Sequence, residues 1–285
     1  MPPRAFVVGH PIAHSRSPLI HGHWLDRNGI AGSYERVDVA PDAFPGFLRA
    51  LGREGFIGGN VTIPHKEAAF RLVDAASARA QRLRAVNTVW LEHGVLHGDN
   101  TDVTGFVESL DAALGAGWEG RLRRALVLGA GGAARAVVAG LLDRGLDQVA
   151  VAARDVEKAA PILGFAPQRV LVLPFGEVER VLGGTDLLVN ATSLGMVGKD
   201  PLAIDLAPLP GHAAVADIVY APLETGLLRA ARARGLATVD GLGMLLHQAV
   251  PGFARWFGVR PQVTPELRAL VEADLARAAL EGPRR

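Results

Sequence analysis

Lys66 stands in the segment Asn60-Val-Thr-Ile-Pro-His-Lys66, and it is one of only three lysines among thirty basic residues. Arginine is always charged and suits surfaces and ion pairs, whereas lysine can give up a proton once its surroundings disfavour the charge. A lysine kept in a chain that otherwise uses arginine is a candidate for proton transfer, although composition alone favours an ordinary surface lysine. A second group of interest is Ser15-Arg-Ser17-Pro18, two hydroxyls just before an amphipathic helical pattern. Ser17 is expected as its N-cap and Pro18 at its first helical position. The same donors and helix dipole that welcome a cap also accept a small carboxylate, so capping and anion binding are both open.

A third group is Gly129-Ala130-Gly131-Gly132-Ala133-Ala134, between the apolar run Ala125–Leu128 and a helical pattern from Arg135 to Leu142. Glycines allow the tight turn and close backbone approach to a pyrophosphate, and the helix N-terminus supplies oriented N–H donors. A dinucleotide cofactor is expected there. At the end of the next strand an acidic side chain would accept from a ribose 2'-hydroxyl and repel a 2'-phosphate; here Ala153 is followed by Arg154. A cation without the acid favours NADP over NAD. Asp155 either opposes the phosphate or caps the helix starting at Val156, and Lys158, one turn on, adds positive potential.

These groups need elements to position them. From Arg124 onward six short apolar runs alternate with helical patterns: Ala125–Leu128, Val149–Ala152, Val170–Leu173, Leu187–Asn190, Val215–Val219 and Ala237–Val239. Buried strands separated by helices predict a doubly wound parallel sheet. The first hundred residues alternate less regularly, with strands expected at Ala5–Val8, Tyr34–Val39 and Phe56–Thr62, then a hairpin from Ala85–Leu91 through His93-Gly94 to Val95-Leu96. After Gly241 two helices are expected, Leu242–Phe257 and Thr264–Leu280, packing back on the first lobe. The predicted architecture is α/β with two domains: a substrate-binding catalytic lobe over 1–101, completed by 242–285, and a cofactor-binding Rossmann domain over 102–241.

Composition bounds the class. A chain of 285 residues suits two cores with a cleft for a small molecule. A net charge of +1 offers no broad basic field for nucleic acid. With no cysteine, disulfides, thiolate metal sites and cysteine nucleophiles are excluded. No apolar run is long enough for a membrane span or a signal peptide, so a cytoplasmic protein is expected. His10, His14, His21 and His23 have no supporting carboxylate pattern, and structural or surface roles are expected rather than metal binding.

With these residues in view, the chain resembles the shikimate dehydrogenase family over essentially its whole length. The resemblance is carried by Ser15-Arg-Ser17-Pro18, Asn60 to Lys66, Ala85-Val-Asn87-Thr, Gly98 to Gly105, Gly129 to Arg135, Asn190-Ala-Thr192-Ser193-Leu-Gly-Met196, Asp217-Ile218-Val-Tyr220-Ala-Pro and Gly241-Leu-Gly-Met244-Leu-Leu-His-Gln248. It implies reversible NADPH-dependent reduction of 3-dehydroshikimate to shikimate, on the route to chorismate and the aromatic amino acids. It makes Lys66 and Asp102 the catalytic pair, which would titrate as a unit, so the microscopic proton assignment stays open. It gives the substrate carboxylate to Ser15 and Ser17 and its ring hydroxyls to Thr62, Asn87 and Gln248, with Asn60 and Tyr220 as neighbours. It gives the pyrophosphate to Gly129, Ala130, Gly131, Gly132 and Ala133, and the 2'-phosphate to Arg154 with Lys158. Thr192, Ser193, Met196, Ile218, Gly241 and Met244 would surround the nicotinamide half, with core packing an equal reading for the two methionines. A monomer or homodimer without nucleic-acid or membrane partners is expected. The family often has Asn-Arg-Thr where this chain has Ala153-Arg154-Asp155. Two rivals remain: an NAD-dependent quinate/shikimate dehydrogenase, which Arg154 opposes, and a non-catalytic NADP-binding sensor, which has no use for Lys66 and Asp102.

Overall fold

The computed structural model describes residues 2–281 and divides into two compact units. The first comprises residues up to Thr101 together with Gln248–Val271; the second comprises Asp102–His247 and the chain from Glu272 onward. The division falls inside a terminal helix, beyond the expected Gly241. The reason lies in what the helix buries: Met244 joins the apolar core of the second unit, whereas Trp256 joins that of the first.

The first unit runs β1 (Arg4–Gly9), α1 (Ser17–Arg27), β2 (Ser33–Asp38), α2 (Phe44–Ala50), β3 (Phe56–Val61), α3 (Lys66–Leu72), β4 (Ala75–Ala76), α4 (Ala78–Leu83), β5 (Thr88–Glu92) and β6 (Val95–Asp99). Its sheet has the order β2-β1-β3-β5-β6-β4. β1 is parallel to β2 and β3, and β5 is antiparallel to both β3 and β6, so the sheet is mixed. Phe6 and Val8 bury against Phe44, Leu48 and Val61, while Ala5 and Val7 bury on the opposite face with Tyr34 and Trp256. This two-sided burial is why β1 reads as a continuous apolar run. α1 buries Ser17, Ile20, His21, Trp24 and Leu25, the i, i+3, i+4, i+7, i+8 stripe of an amphipathic helix. The returning segment is fastened by two indole N–H groups: Trp256 Nε1 donates to Val89 O at 2.9 Å and Trp24 Nε1 to Gln262 O at 3.1 Å.

The second unit runs α5 (Asp102–Leu114), α6 (Trp118–Arg121), β7 (Arg124–Leu128), α7 (Gly132–Asp143), β8 (Gln148–Ala153), α8 (Val156–Ala159), β9 (Val170–Pro174), α9 (Val178–Leu182), β10 (Leu187–Asn190), β11 (Ala214–Asp217), α10 (Gly226–Ala233) and β12 (Ala237–Val239). α11 (Gly241–Phe257) and α12 (Pro265–Glu281) follow, each shared between the units. All six strands are parallel, in the order β12-β11-β10-β7-β8-β9, which is the doubly wound Rossmann arrangement with its switch point between β7 and β10. Val127, Val151, Leu187 and Val189 bury on one face, and Leu126, Leu128, Ala152 and Leu188 on the other.

Several boundaries shift by one residue from the sequence expectations, and four departures have a local cause. α1 begins at Ser17 itself, with Arg16 at the cap position and no side-chain cap bond; Ser15 Oγ instead accepts from Ser17 N at 3.3 Å. The helix after the glycine turn begins at Gly132 rather than Arg135, because Gly131 already stands at the cap in extended conformation. β11 stops at Asp217, where the carboxylate takes over from the ladder and accepts from Val219 N at 3.0 Å. β5 begins at Thr88 rather than Ala85, since the chain before it leaves the ladder at Asn87.

Candidate active site

In the first unit the loops after β1 and β3, the two strands flanking that sheet's own reversal of order, carry Ser15 and Thr62, with Ser17 opening the helix after the first loop and Asn60 in β3 itself. The two loops are tied by His10 N donating to Ile63 O at 3.1 Å. Asp38, ending β2, holds the first loop: His10 Nδ1 lies 2.6 Å from its Oδ1, and Ile12 N donates to Oδ2 at 3.0 Å. The His10 hydrogen bond, followed by that from Ile12, keeps the Asp38 carboxyl below the usual carboxylate range. Arg36 clamps the serine turn, donating from Nε at 3.0 Å and Nη2 at 2.7 Å to Ser15 O. Ser15 and Ser17 are both buried.

The loop after β3 delivers Lys66 as the first residue of α3. His65 fixes its approach by stacking on Phe44, with ring centroids 4.2 Å apart, and by placing Nε2 2.7 Å from Val39 O. Lys66 O accepts from Val86 N at 2.9 Å, which sets the start of α3 beside the strand that brings in Asn87. Thr62 and Lys66 are half-buried, and Asn60 and Asn87 are buried. Asn60 and Asn87 meet directly: Asn60 Nδ2 donates to Asn87 O and to Thr88 Oγ1, both at 3.2 Å. Gln248, on α11, is half-buried and belongs to the same unit.

In the second unit the loops after β7 and β10 meet at the switch point. Gly129 has a φ of +102°, and a side chain there would press on Ala191 O and Thr192 Cγ2, each 3.0 Å away. At Gly131 and Gly132 an added Cβ would meet nothing within 4 Å. Open space over backbone N–H groups at the start of a twelve-residue helix fits a pyrophosphate, so these residues can hold a dinucleotide. Beyond β8, Ala153 is buried and Arg154 and Lys158 are exposed. Asp155 caps α8, accepting from Lys158 N at 3.1 Å, and pairs with Lys158 Nζ at 3.3 Å. The backbone N–H of Lys158, before its ammonium, holds the Asp155 carboxyl below its ordinary range.

The loop after β10 is organised by Asn190 and Asp217. Asn190 Oδ1 accepts from Thr192 N at 3.0 Å and Thr192 Oγ1 at 2.7 Å, and Thr192 Oγ1 accepts from Leu194 N at 3.0 Å. Asn190 Nδ2 donates to Leu194 O at 3.1 Å and to Asp217 Oδ1 at 3.0 Å, while Asp217 Oδ2 accepts from Thr225 Oγ1 at 2.8 Å. Burial pushes the Asp217 carboxyl up to about 6 despite these donors. The hub brings Thr192 and Ser193 to one side and Ile218 and Tyr220 to the other. Gly241 closes against them: a Cβ there would sit 2.4 Å from Ile218 O, so only glycine allows the approach. Met244 is buried in the apolar core, whereas Met196 is exposed. Asp102 is buried at the start of α5. Among the described residues, no group of three or more metal-ligating side chains is placed to hold a metal ion.

The structure adds residues to which sequence reasoning attached no role. Asn190 and Asp217 stood inside motifs already noted, so a signal existed. Tyr34, Thr88 and Thr101, which bond to Asn60 and Asn87, had none beyond a strand pattern or a neighbouring motif.

Three family descriptions match successive parts of the chain: "Shikimate dehydrogenase substrate binding domain" over residues 7–89, "Shikimate / quinate 5-dehydrogenase" over 117–197 and "Shikimate 5'-dehydrogenase C-terminal domain" over 241–270. A relative from Methylobacterium radiotolerans, named shikimate dehydrogenase (NADP(+)), is 64% identical over 276 residues, covering 96% of this chain and 98% of its own. The chain belongs to the shikimate dehydrogenase family. Within it, a solved shikimate 5-dehydrogenase from Thermus thermophilus, in complex with NADP(H) and shikimate, aligns with a TM-score of 0.80 at 40% identity, covering 96% of this chain and 99% of that one. A quinate dehydrogenase from Corynebacterium glutamicum in complex with NAD aligns with a TM-score of 0.87 at 33% identity, covering 95% and 99%. The family fold therefore accommodates both cofactors and both acids. Among the described residues of this chain, no helix is long and apolar enough to cross a membrane.

Proposed function

We propose that the chain catalyses the reversible NADPH-dependent reduction of 3-dehydroshikimate to shikimate, on the route to chorismate and the aromatic amino acids. The observation that carries this reading is its 64% identity, over nearly the full length of both chains, to a relative named shikimate dehydrogenase (NADP(+)). When bound, the cofactor supplies the hydride. Lys66 is the proton carrier for the oxygen that becomes alkoxide, with Asp102 as its carboxylate partner. Ser15 and Ser17 bind the substrate carboxylate. Thr62, Asn87 and Gln248 bind its ring hydroxyls, with Asn60 and Tyr220 beside them. Neutral donors and acceptors suit a polyhydroxylated acid, because each buried hydroxyl left unpaired costs about 1–3 kcal/mol.

On the cofactor side, Gly129, Ala130, Gly131, Gly132 and Ala133 hold the pyrophosphate. Thr192, Ser193, Met196, Ile218, Gly241 and Met244 face the nicotinamide half. Arg154, with Lys158, takes the 2'-phosphate, and no acid stands at Ala153 to select a free 2'-hydroxyl. The enzyme so described is cytoplasmic, monomeric or homodimeric, and acts on a small free acid.

A second reading, quinate oxidation with NAD, is favoured by the likeness to the Corynebacterium glutamicum enzyme and opposed by Arg154. Absorbance at the reduced-nicotinamide band separates the two, with shikimate or quinate and NADP or NAD in the four combinations. Rapid reduction of NADP with shikimate is the expected result. Preference for NAD or quinate moves the chain to the second reading, and no turnover in any cuvette overturns both.

A further inference from the structure

Tyr34 is the second residue of β2 and is buried in the interior of the first unit. It donates to Asn60 Oδ1 at 2.6 Å. Both amide hydrogens of Asn60 are then spent, one on Asn87 O and one on Thr88 Oγ1. Thr88 Oγ1 in turn donates to Asn87 Oδ1 at 2.9 Å. The same Asn87 oxygen accepts from Thr101 N at 2.7 Å and from Thr101 Oγ1 at 3.2 Å. Every link runs in one direction: phenol to amide carbonyl, amide N–H to hydroxyl, hydroxyl to amide carbonyl.

Chains of hydrogen bonds with a common direction polarise one another, and an amide whose oxygen accepts several donors becomes a stronger donor through its nitrogen. The convergence on Asn87 Oδ1 also fixes which way that amide faces, with Nδ2 directed away from Thr101 and Thr88. The Tyr34 ring cannot swing out of place, because His21 stacks on it with centroids 3.9 Å apart and planes 7° from parallel. Trp256 closes on the same pair, 5.9 Å from Tyr34 and 5.6 Å from His21. Burial raises the Tyr34 hydroxyl well above its ordinary range and lowers His21 to about 3, so the donor stays protonated and its stacking partner stays neutral across the working pH range.

We propose that Tyr34 is a positioning residue for substrate recognition, acting through Asn60 and Thr88 to orient and polarise the Asn87 amide that binds a ring hydroxyl. In this arrangement Asn60 serves Asn87 rather than the substrate, since its donors are already committed. The proposal rests on the shikimate dehydrogenase reading above and identifies a specificity element of that same site.

Tyr34→Phe removes the hydroxyl and keeps the ring and its stacking. The expected result is a KM for shikimate raised about tenfold, with kcat changed less than about threefold and KM for NADP unchanged. Thr88→Val cuts the same chain one link further on and is expected to show the same split, while Thr88→Ser, which restores the hydroxyl, returns KM to within about twofold of the wild type. This second pair carries the test if Tyr34→Phe does not fold. A melting temperature that falls while KM for shikimate stays within about twofold in Tyr34→Phe and Thr88→Val would mean a merely structural network and overturns the positioning role alone. Failure of the wild-type chain to turn over shikimate with NADP overturns the proposed function, and this inference with it.

Discussion

The two units solve one problem twice. Each places an asparagine where a central parallel strand reaches the reversal of strand order, Asn60 in β3 and Asn190 at the end of β10, and each uses that amide to tie segments distant in sequence: β2 to the start of β5 through Asn60, and the loop after β10 to the end of β11 through Asn190. The difference is in what the amide is tied to. In the first unit the hub is neutral throughout, made of amides, hydroxyls and a phenol, with a buried neutral imidazole stacked beside it. In the second the hub is a carboxylate, Asp217, held by three donors yet buried enough to resist ionisation. A neutral hub keeps its geometry through the pH range where a carboxylate hub changes charge. Under the proposed function, the recognition of hydroxyls and the seating of a nicotinamide are given different pH tolerances by the same device.

The largest expected effect separates chemistry from binding. Lys66→Ala should lower turnover by about a hundredfold to ten-thousandfold with much smaller change in KM for shikimate, and NADPH binding by fluorescence titration should be unchanged. Near-normal turnover would remove Lys66 from the proton transfer. Next, Arg154→Ala should cut the NADP-over-NAD ratio of kcat/KM by about ten- to a hundredfold while leaving KM for shikimate alone, since removal of a charge-assisted contact to phosphate costs about 1.5–3 kcal/mol. A ratio that does not move would locate the preference elsewhere.

The sharpest test of the comparison is pH. His21 has its pKa lowered from 6.5 to about 3, so the unfolded chain takes up a proton that the first unit refuses. The stability this represents is complete above pH 6.5 and is lost as pH falls from 6.5 towards about 3. Asp217 has the opposite sign: its pKa is raised from 3.8 to about 6, so the second unit is relieved as pH falls from about 6 to 3.8. Between about pH 7 and about pH 5 the first unit should lose about 2 kcal/mol and the second gain about 1 kcal/mol. Hydrogen exchange resolved by residue would read the two trends separately. His21→Phe should flatten the first and Asp217→Asn the second, and parallel trends in both units would break the contrast. The smallest effect concerns Asp155. Because it is engaged as a cap and by Lys158, Asp155→Thr should raise the NADP preference only about two- to fivefold by releasing Lys158, measured by the same kcat/KM ratio.

Much of this was legible because local chemistry wrote it. Buried parallel strands need apolar runs on both faces, so the six strands of the second unit stood out, and the glycine turn after β7 declared itself by its context. The cap role of Asp155 was likewise one of two readings open from spacing alone. What escaped depended on partners far along the chain. Ser17 looked like a cap, but α1 starts at Ser17, and Ser15, two residues earlier, offers the nearer oxygen. β11 looked longer because Ile218 and Val219 are apolar, while the Asp217 side chain that ends it bonds to Asn190, 27 residues away. Tyr34 is an ordinary strand residue until Asn60, 26 residues on, arrives beneath its hydroxyl. The motifs of the candidate site were visible as a resemblance; the groups that orient them were not, because orientation is a property of packing.

The sharing of α11 and α12 between the units bears on the order in which the protein can be made. The second unit's sheet, Arg124 to Val239, is one uninterrupted stretch, so all of its strands can pair once that stretch has left the ribosome. The first unit precedes that stretch but lacks Gln248–Val271, and with it the partners of Val89 and Trp24, until the second unit's sheet has already been made. The earlier strands are therefore completed after the later sheet, and their open apolar face must wait, while that sheet is made, for the residues that cover it.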